Sequence, residues 1–194
     1  MTARGATVVT LPAGEPDAVR RRHVISALVV DRPGTLNRVA GLLRARSFNI
    51  ESLTVGTTDQ PGRSRMTIAV HGDDGHLRQV LAQLERLIDV LEVTDLTAQP
   101  RLELELALVE LEPPRSVDRR AALDELLASA GGAVTASGAD ACRAYLAAPP
   151  DEIDRVLAQL GSFGLRRLVR AGAVAMATSA TPEPSPTPHG ATDE

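Results

Sequence analysis

The spacing of apolar residues changes at regular intervals along the chain, and each change marks an element. Residues 23–30 form an apolar run that stops at Asp31-Arg32-Pro33-Gly34. A run of that length bounded by turn residues predicts a buried strand. Over 35–46 the apolar positions Leu36, Val39, Ala40, Leu42 and Leu43 recur at helical spacing, which predicts an amphipathic helix. Ile50, Leu53 and Val55 predict a second strand over 48–57, and Gln60-Pro61-Gly62-Arg63 a turn. Over 64–71, Met66, Ile68 and Val70 alternate with Arg65, Thr67 and Ala69, a half-buried strand. Asp73 or Asp74 caps a second helix with the stripe Leu77, Val80, Leu81, Leu84 and Leu87. A fourth strand follows over 88–96. The order β-α-β-β-α-β is the split βαβ pattern.

The second half repeats this order. Leu102, Leu104, Leu106 and Leu108 alternate with Glu103, Glu105 and Ala107, a strand signal of period two. A helix over 118–129 carries Ala122, Leu123, Leu126 and Leu127 and ends at Gly131-Gly132. Short strands over 133–137 and 142–147 precede a helix over 150–160 that opens with Pro and acids. A strand over 168–176 closes the unit. The expected fold class is therefore α/β of the α+β kind: two tandem ferredoxin-like βαββαβ units, 22–98 and 99–177. Composition predicts a flexible arm over 1–21 and a Pro-rich disordered tail over 178–194.

Composition narrows the function by exclusion. The 194 residues carry a net charge of −4 and only 2% aromatics. A general nucleic-acid binder needs a basic surface and stacking platforms, and this chain offers neither. All 21 basic residues are arginine. Without lysine there is no Walker A loop and no Schiff base. The one cysteine, Cys142, makes no internal disulfide and no cysteine-rich zinc site. No apolar run reaches the ~18 residues of a membrane span, and the first residues do not read as a signal peptide, so the expected compartment is the cytoplasm.

Two segments carry candidate chemistry. In Asp31-Arg32-Pro33-Gly34-Thr35-Leu36, a glycine turns the chain into a helix. The first turn of a helix holds unpaired N–H donors that suit a carboxylate or phosphate, and Asp31 suits an ammonium. An amino acid carries both charges. The competing reading is a plain Pro-Gly turn. In His71-Gly72-Asp73-Asp74-Gly75-His76, two histidines and two aspartates fall within six residues. That cluster is read as a strand end and helix cap rather than a metal site, since a short loop seldom aims four side chains at one point. Cys142 is read as a small core residue, and Arg20-Arg21-Arg22 as solvated. No nucleophile, base and partner occur together, which points to a binding or regulatory protein.

These segments resemble a known family. Residues 23–39, through Asp31-Arg32-Pro33-Gly34-Thr35-Leu36-Asn37-Arg38-Val39, resemble the opening of an ACT domain. Phe48-Asn49-Ile50-Glu51-Ser52-Leu53-Thr54-Val55, Ser64-Arg65-Met66-Thr67-Ile68 and Leu87-Ile88-Asp89-Val90-Leu91-Glu92-Val93 resemble the small, regulatory subunit of acetolactate synthase. The resemblance is close over 23–97 and weaker to Met176. It implies a non-catalytic partner of a catalytic large subunit that holds thiamine diphosphate, Mg and FAD, with no cofactor or metal in this chain. It also implies a homodimer paired through the ACT domains and feedback by valine or a related branched-chain amino acid. Carried over, the effector's carboxylate meets the N–H groups near Gly34, Thr35 and Leu36, and its ammonium meets Asp31. Asn49 and Ile50 come from the partner chain, and Ile50 with Val29 walls the branched side chain. The family usually has Asn at the position of Asp31 and often Ala at that of Gly56. The alternative is a free-standing ACT sensor that regulates a different enzyme.

Overall fold

The structure, a computed structural model, describes residues 21–46 and 48–178. The expected arm and tail lie outside the described residues, except that Arg21 already belongs to the first strand. The elements run β1 Arg21–Val30, α1 Thr35–Ala45, β2 Asn49–Thr57, β3 Arg63–Gly72, α2 Asp74–Leu84, β4 Val90–Asp95, β5 Arg101–Leu111, α3 Val117–Ala128, β6 Ala133–Ser137, β7 Cys142–Ala148, α4 Pro150–Leu160 and β8 Leu165–Ala177. They form two antiparallel four-stranded sheets in the orders β2-β3-β1-β4 and β6-β7-β5-β8. The chain is thus two βαββαβ units, as its apolar spacing predicts.

In the first unit the odd positions of β1 (Ile25, Ala27, Val29) and the even positions of β3 (Met66, Ile68, Val70) meet Val39 and Leu43 of α1 and Leu77, Val80 and Leu84 of α2. Leu87 packs on the same core as the α2 stripe, but from beyond the end of the helix. The helix stops at Leu84, and the Leu87 N–H turns back to the Leu84 carbonyl at 3.0 Å. Ile88, expected in β4, is 83% exposed in the following turn.

In the second unit Leu123 and Leu127 of α3 and Ile153, Val156 and Leu160 of α4 cover β5 and β7, with Cys142 sealed among them. The period-two pattern of β5 locates the strand but not its inner face. Glu105, Ala107, Val109 and Leu111 are buried, whereas Leu102, Leu106 and Leu108 are exposed. The leucines line the side of the sheet away from the helices.

β8 joins the units. At Gly172, which has φ 80°, the β5–β8 register shifts between Glu105 and Ala107, and the strand bends. Beyond the bend, Ala175 and Ala177 pack on Val24 and Leu96, on the side of the first sheet opposite its helices. The Thr54 hydroxyl donates to the Ala173 carbonyl at 2.6 Å. Arg22 of β1 donates to Glu51 of β2 at 2.9 Å and pairs with Glu103 of β5 at 2.6 Å. Thr67 and Ala69, polar-face residues by alternation, are buried by this docking.

Candidate functional site

The loop between β1 and α1 is fixed by its own chemistry. Pro33 supplies the φ for the first corner of a type II turn, and the second corner needs positive φ. Gly34 supplies it, with φ 90° and ψ −12°. The Thr35 N–H closes the turn on the Arg32 carbonyl at 3.3 Å, and the buried Thr35 hydroxyl donates to the Val30 carbonyl at 3.2 Å. The ends are tied down by the Val30 N–H on the Asp89 carbonyl and the Asp31 N–H on the Gly62 carbonyl, both 2.8 Å.

A carboxylate beneath the loop holds it. Asp89 is 1% exposed. It receives Arg38 Nε at 2.5 Å on one oxygen and pairs with Arg32 through the other. Burial alone would raise its pKa. The hydrogen bonds and charges of Arg32 and Arg38 outweigh burial and hold the carboxyl below its usual range. Arg32 enters from the turn and Arg38 from the first turn of α1, so one buried anion staples both sides of Gly34.

The result is a helix start with no side-chain cap. Thr35 N–H is engaged, which removes one of the donors expected for a ligand. The N–H groups of Gly34, Leu36 and Asn37 donate to no acceptor among the described residues. Asp31 and Gly34 are exposed, and Leu36 is 46% exposed. By contrast α2 and α3 are closed by Asp73 and Ser116, whose side chains accept from His76 N and Arg119 N.

The structure brings Asp31, Gly34, Thr35 and Leu36 together and leaves the other expected residues elsewhere. Val29 lies under the loop in the core, 1% exposed. Asn49 and Ile50 pair with His71 and Val70, which pair with Arg22 and His23 at the start of β1. Arg22 is eight residues from Val30, about 26 Å at the rise of a strand. Within one chain Asn49 and Ile50 therefore stand at the opposite end of the sheet from Gly34. They do lie on β2, which with β4 forms the two edges of the sheet.

The His71–His76 segment turns its side chains to separate partners. Asp73 caps α2, accepting the His76 N–H at 2.9 Å. That bond and the His76 ring lower its pKa to about 2. His71 pairs with Glu51 at 2.7 Å, and Asp74 with Arg21 at 2.8 Å. Among the described residues no three His, Cys, Asp or Glu side chains converge to hold a metal, and no helix is long and apolar enough to cross a membrane. A surface hollow of about 410 Å³ lies in the second unit between Glu112–Arg115, Ala139–Asp140 and Arg166. It is remote from the loop and does not contain its chemistry.

The residues missed from sequence are Asp89 and its two arginines. The signal was a single acid inside the apolar run Leu87-Ile88-Asp89-Val90-Leu91.

A βαββαβ sheet whose first strand-to-helix loop is exposed and uncapped defines the class of fold and its candidate site. Comparison with known proteins gives the family. The model of the acetohydroxyacid synthase (AHAS) small subunit-like ACT domain matches residues 25–92. The chain is 41% identical over 162 residues to a probable acetolactate synthase small subunit of Methanothermobacter thermautotrophicus, covering 84% of this chain and 94% of the relative. It is 33% identical over 157 residues to the acetolactate synthase small subunit of Bacillus subtilis, covering 80% and 90%. The crystal structure of the small subunit from Thermotoga maritima superposes with a TM-score of 0.73 at 29% identity, covering 82% of this chain and 99% of that one. The chain belongs to the acetolactate synthase small subunit family.

Proposed function

We propose that this chain is the non-catalytic regulatory subunit of acetolactate synthase. It binds a catalytic large subunit in the cytoplasm, raises its activity, and makes that activity answer to valine or a related branched-chain amino acid. Thiamine diphosphate, Mg and FAD belong to the large subunit.

The observation that carries the reading is the open first turn of α1. Its unpaired N–H groups suit a carboxylate, Asp31 suits an ammonium, and the half-exposed Leu36 suits an aliphatic side chain. The placement of Asn49 and Ile50 supports a two-chain site. Antiparallel pairing of two β2 edges sets the start of one strand beside the end of the other. That end, Thr57 opposite Ser64, lies next to Val29 and the loop. An effector that binds one arrangement of the pair better shifts its population; about 1–3 kcal/mol of coupling gives a 5–150-fold change in affinity.

The test is acetolactate formation by the catalytic subunit, with and without this chain, across a valine titration. Activation that valine reverses is the expected result. Absence of any activation overturns the reading, and amino-acid binding without a catalytic partner favours the free-standing sensor. Asp31→Asn, which removes the charge expected to meet the effector's ammonium, is expected to change the valine concentration needed.

A further inference from the structure

The two units repeat one fold, and the same corner of each is built differently. In the first unit the strand-to-helix loop, the hairpin turn and the lead-in to the last strand are drawn together. The Asp31 N–H meets the Gly62 carbonyl, and Arg32 and Arg38 meet Asp89. In the second unit the corresponding parts are residues 112–116, 138–141 and 164–166. Here the Glu112 N–H meets the Gly164 carbonyl at 3.0 Å, but among the described residues no hydrogen bond joins 112–116 to 138–141. The hollow of about 410 Å³ is the space left between them. That volume falls within the ~300–1,000 Å³ of small-molecule sites. The lining carries two charges of each sign. Arg166 spans the gap, donating to the Asp140 carbonyl at 2.7 Å, and its guanidinium stands 3.7 Å from the Glu112 carboxylate, beyond a hydrogen bond. The stem of Glu112 is fixed, because it lies directly on Gly164: a Cβ there would come 2.5 Å from Glu112 Cγ. The Arg115 guanidinium and the Asp140 carboxylate have no ion-pair partner among the described residues.

We propose that this hollow is a second ligand site, which takes a free amino acid with a small aliphatic side chain. The ligand's carboxylate meets Arg115 and Arg166, whose planar guanidinium groups match it. Its ammonium meets Glu112 and Asp140, and its side chain lies against Pro113, Pro114 and Ala139. The balance of charge selects this class. A lone anion would face two carboxylates and a lone cation two guanidinium groups, and like charges brought together cost free energy. A molecule with both charges meets each with its opposite. The donors differ from those of the first unit, where the open N–H groups of α1 stand in place of arginine side chains. The site therefore does not depend on the effector reading of the β1–α1 loop.

The experiment follows amide hydrogen exchange of the full chain across titrations with valine, leucine and isoleucine. Isovalerate and isobutylamine, which keep valine's side chain but only one of its charges, are titrated beside them. The expected result is slowed exchange over residues 115–118 and 138–141 with at least one of the amino acids and with neither analogue. Arg115→Ala is expected to raise the concentration needed at least tenfold, and Arg166→Ala to do the same. Arg115 is exposed, so the fold is expected to survive its loss, and circular dichroism checks this. Residues 31–37 are read in the same titrations. Slowing there without slowing at the hollow upholds the effector reading and overturns this one, whereas slowing at the hollow alone upholds this one. Equal slowing by isovalerate, or a response unchanged in both arginine variants, also overturns the proposal.

Discussion

Gly172→Ala tests the joint between the two units at a single atom. Gly172 has φ 80°, and a Cβ built on it lies 2.9 Å from Ser52 Cβ and 3.4 Å from Thr54 Cγ2. The backbone part of the cost, a Cβ in the left-handed region, is about 1–2 kcal/mol. The steric part comes from carbons well inside their ~3.5–4.0 Å optimum, and overpacking of this kind costs about 1–3 kcal/mol. One is local strain and the other a contact across the joint, so they add to about 2–5 kcal/mol, a large share of a domain's ~5–15 kcal/mol. The assay is urea unfolding of the full chain, followed by circular dichroism. The same substitution is then repeated in two backgrounds. Ser52→Gly removes the carbon that the alanine meets; Ser52→Ala keeps it. The expected result is that Ser52→Gly recovers about 1–3 kcal/mol of the loss, while Ser52→Ala recovers less than ~0.5 kcal/mol. A loss below about 1 kcal/mol, or equal recovery in both backgrounds, refutes the close approach of β8 to β2.

Gly34→Ala meets no clash, since the nearest atom, Nη1 of Arg38, is 3.5 Å away, an ordinary contact. It should cost only the turn strain, about 1–2 kcal/mol by urea unfolding, and weaken valine binding measured by calorimetry. Asp89→Asn leaves Arg32 and Arg38 without their shared anion and should loosen the loop, read as faster exchange of the Val30 and Asp31 amides at neutral pH. Because the native Asp89 carboxyl is held below its usual range, its stabilisation is complete above the unfolded pKa of ~3.9 and fades only as pH falls through the lower folded value. The native chain and Asp89→Asn should therefore converge in acid and differ at pH 7. Asp73→Ala removes the α2 cap and should lower the melting temperature at pH 7. With the folded Asp73 carboxyl at about 2, that difference should persist to about pH 4 and vanish near pH 2.

The element order was readable because each strand and helix keeps one apolar period, and both units keep the same sequence of periods. The loop was readable because Pro33-Gly34 has few conformations open to it. Three features were not. Strand β5 is apolar at even positions and closes its core with odd ones, where Ala107, Val109 and Leu111 meet the helices. Period two finds a strand but is blind to which face is covered when both carry apolar residues. The docking of β8 on the first sheet hangs on Ala173, Ala175 and Ala177, small residues whose sequence signal is only their size. Asp89 is read in isolation as a break in an apolar run. Its partners, 57 and 51 residues earlier at Arg32 and Arg38, meet it only after the sheet forms.

Strand β2 sits where two proposed events would have to communicate. Its free edge is the one that a second chain pairs with in the effector reading. Its residues Ser52 and Thr54 touch Gly172 and the Ala173 carbonyl of the second unit. Its Glu51 shares Arg22 with Glu103 of β5. Burial of the Arg22 guanidinium opposes its charge, but the hydrogen bonds and charges of the two carboxylates outweigh this and raise its pKa, so Arg22 keeps its charge. Moving a packed strand by an ångström is costly on both sides, because close-packed surfaces give way in discrete steps. A shift of β2 on effector binding would therefore carry β8 with it or break the Thr54 and Arg22 links. Coupling free energy is reciprocal. Thr54→Val, which removes the hydroxyl but keeps the shape, should thus weaken the valine response of the holoenzyme while leaving valine-free activation intact. An unchanged valine response in that variant would remove β2 from the path between the units.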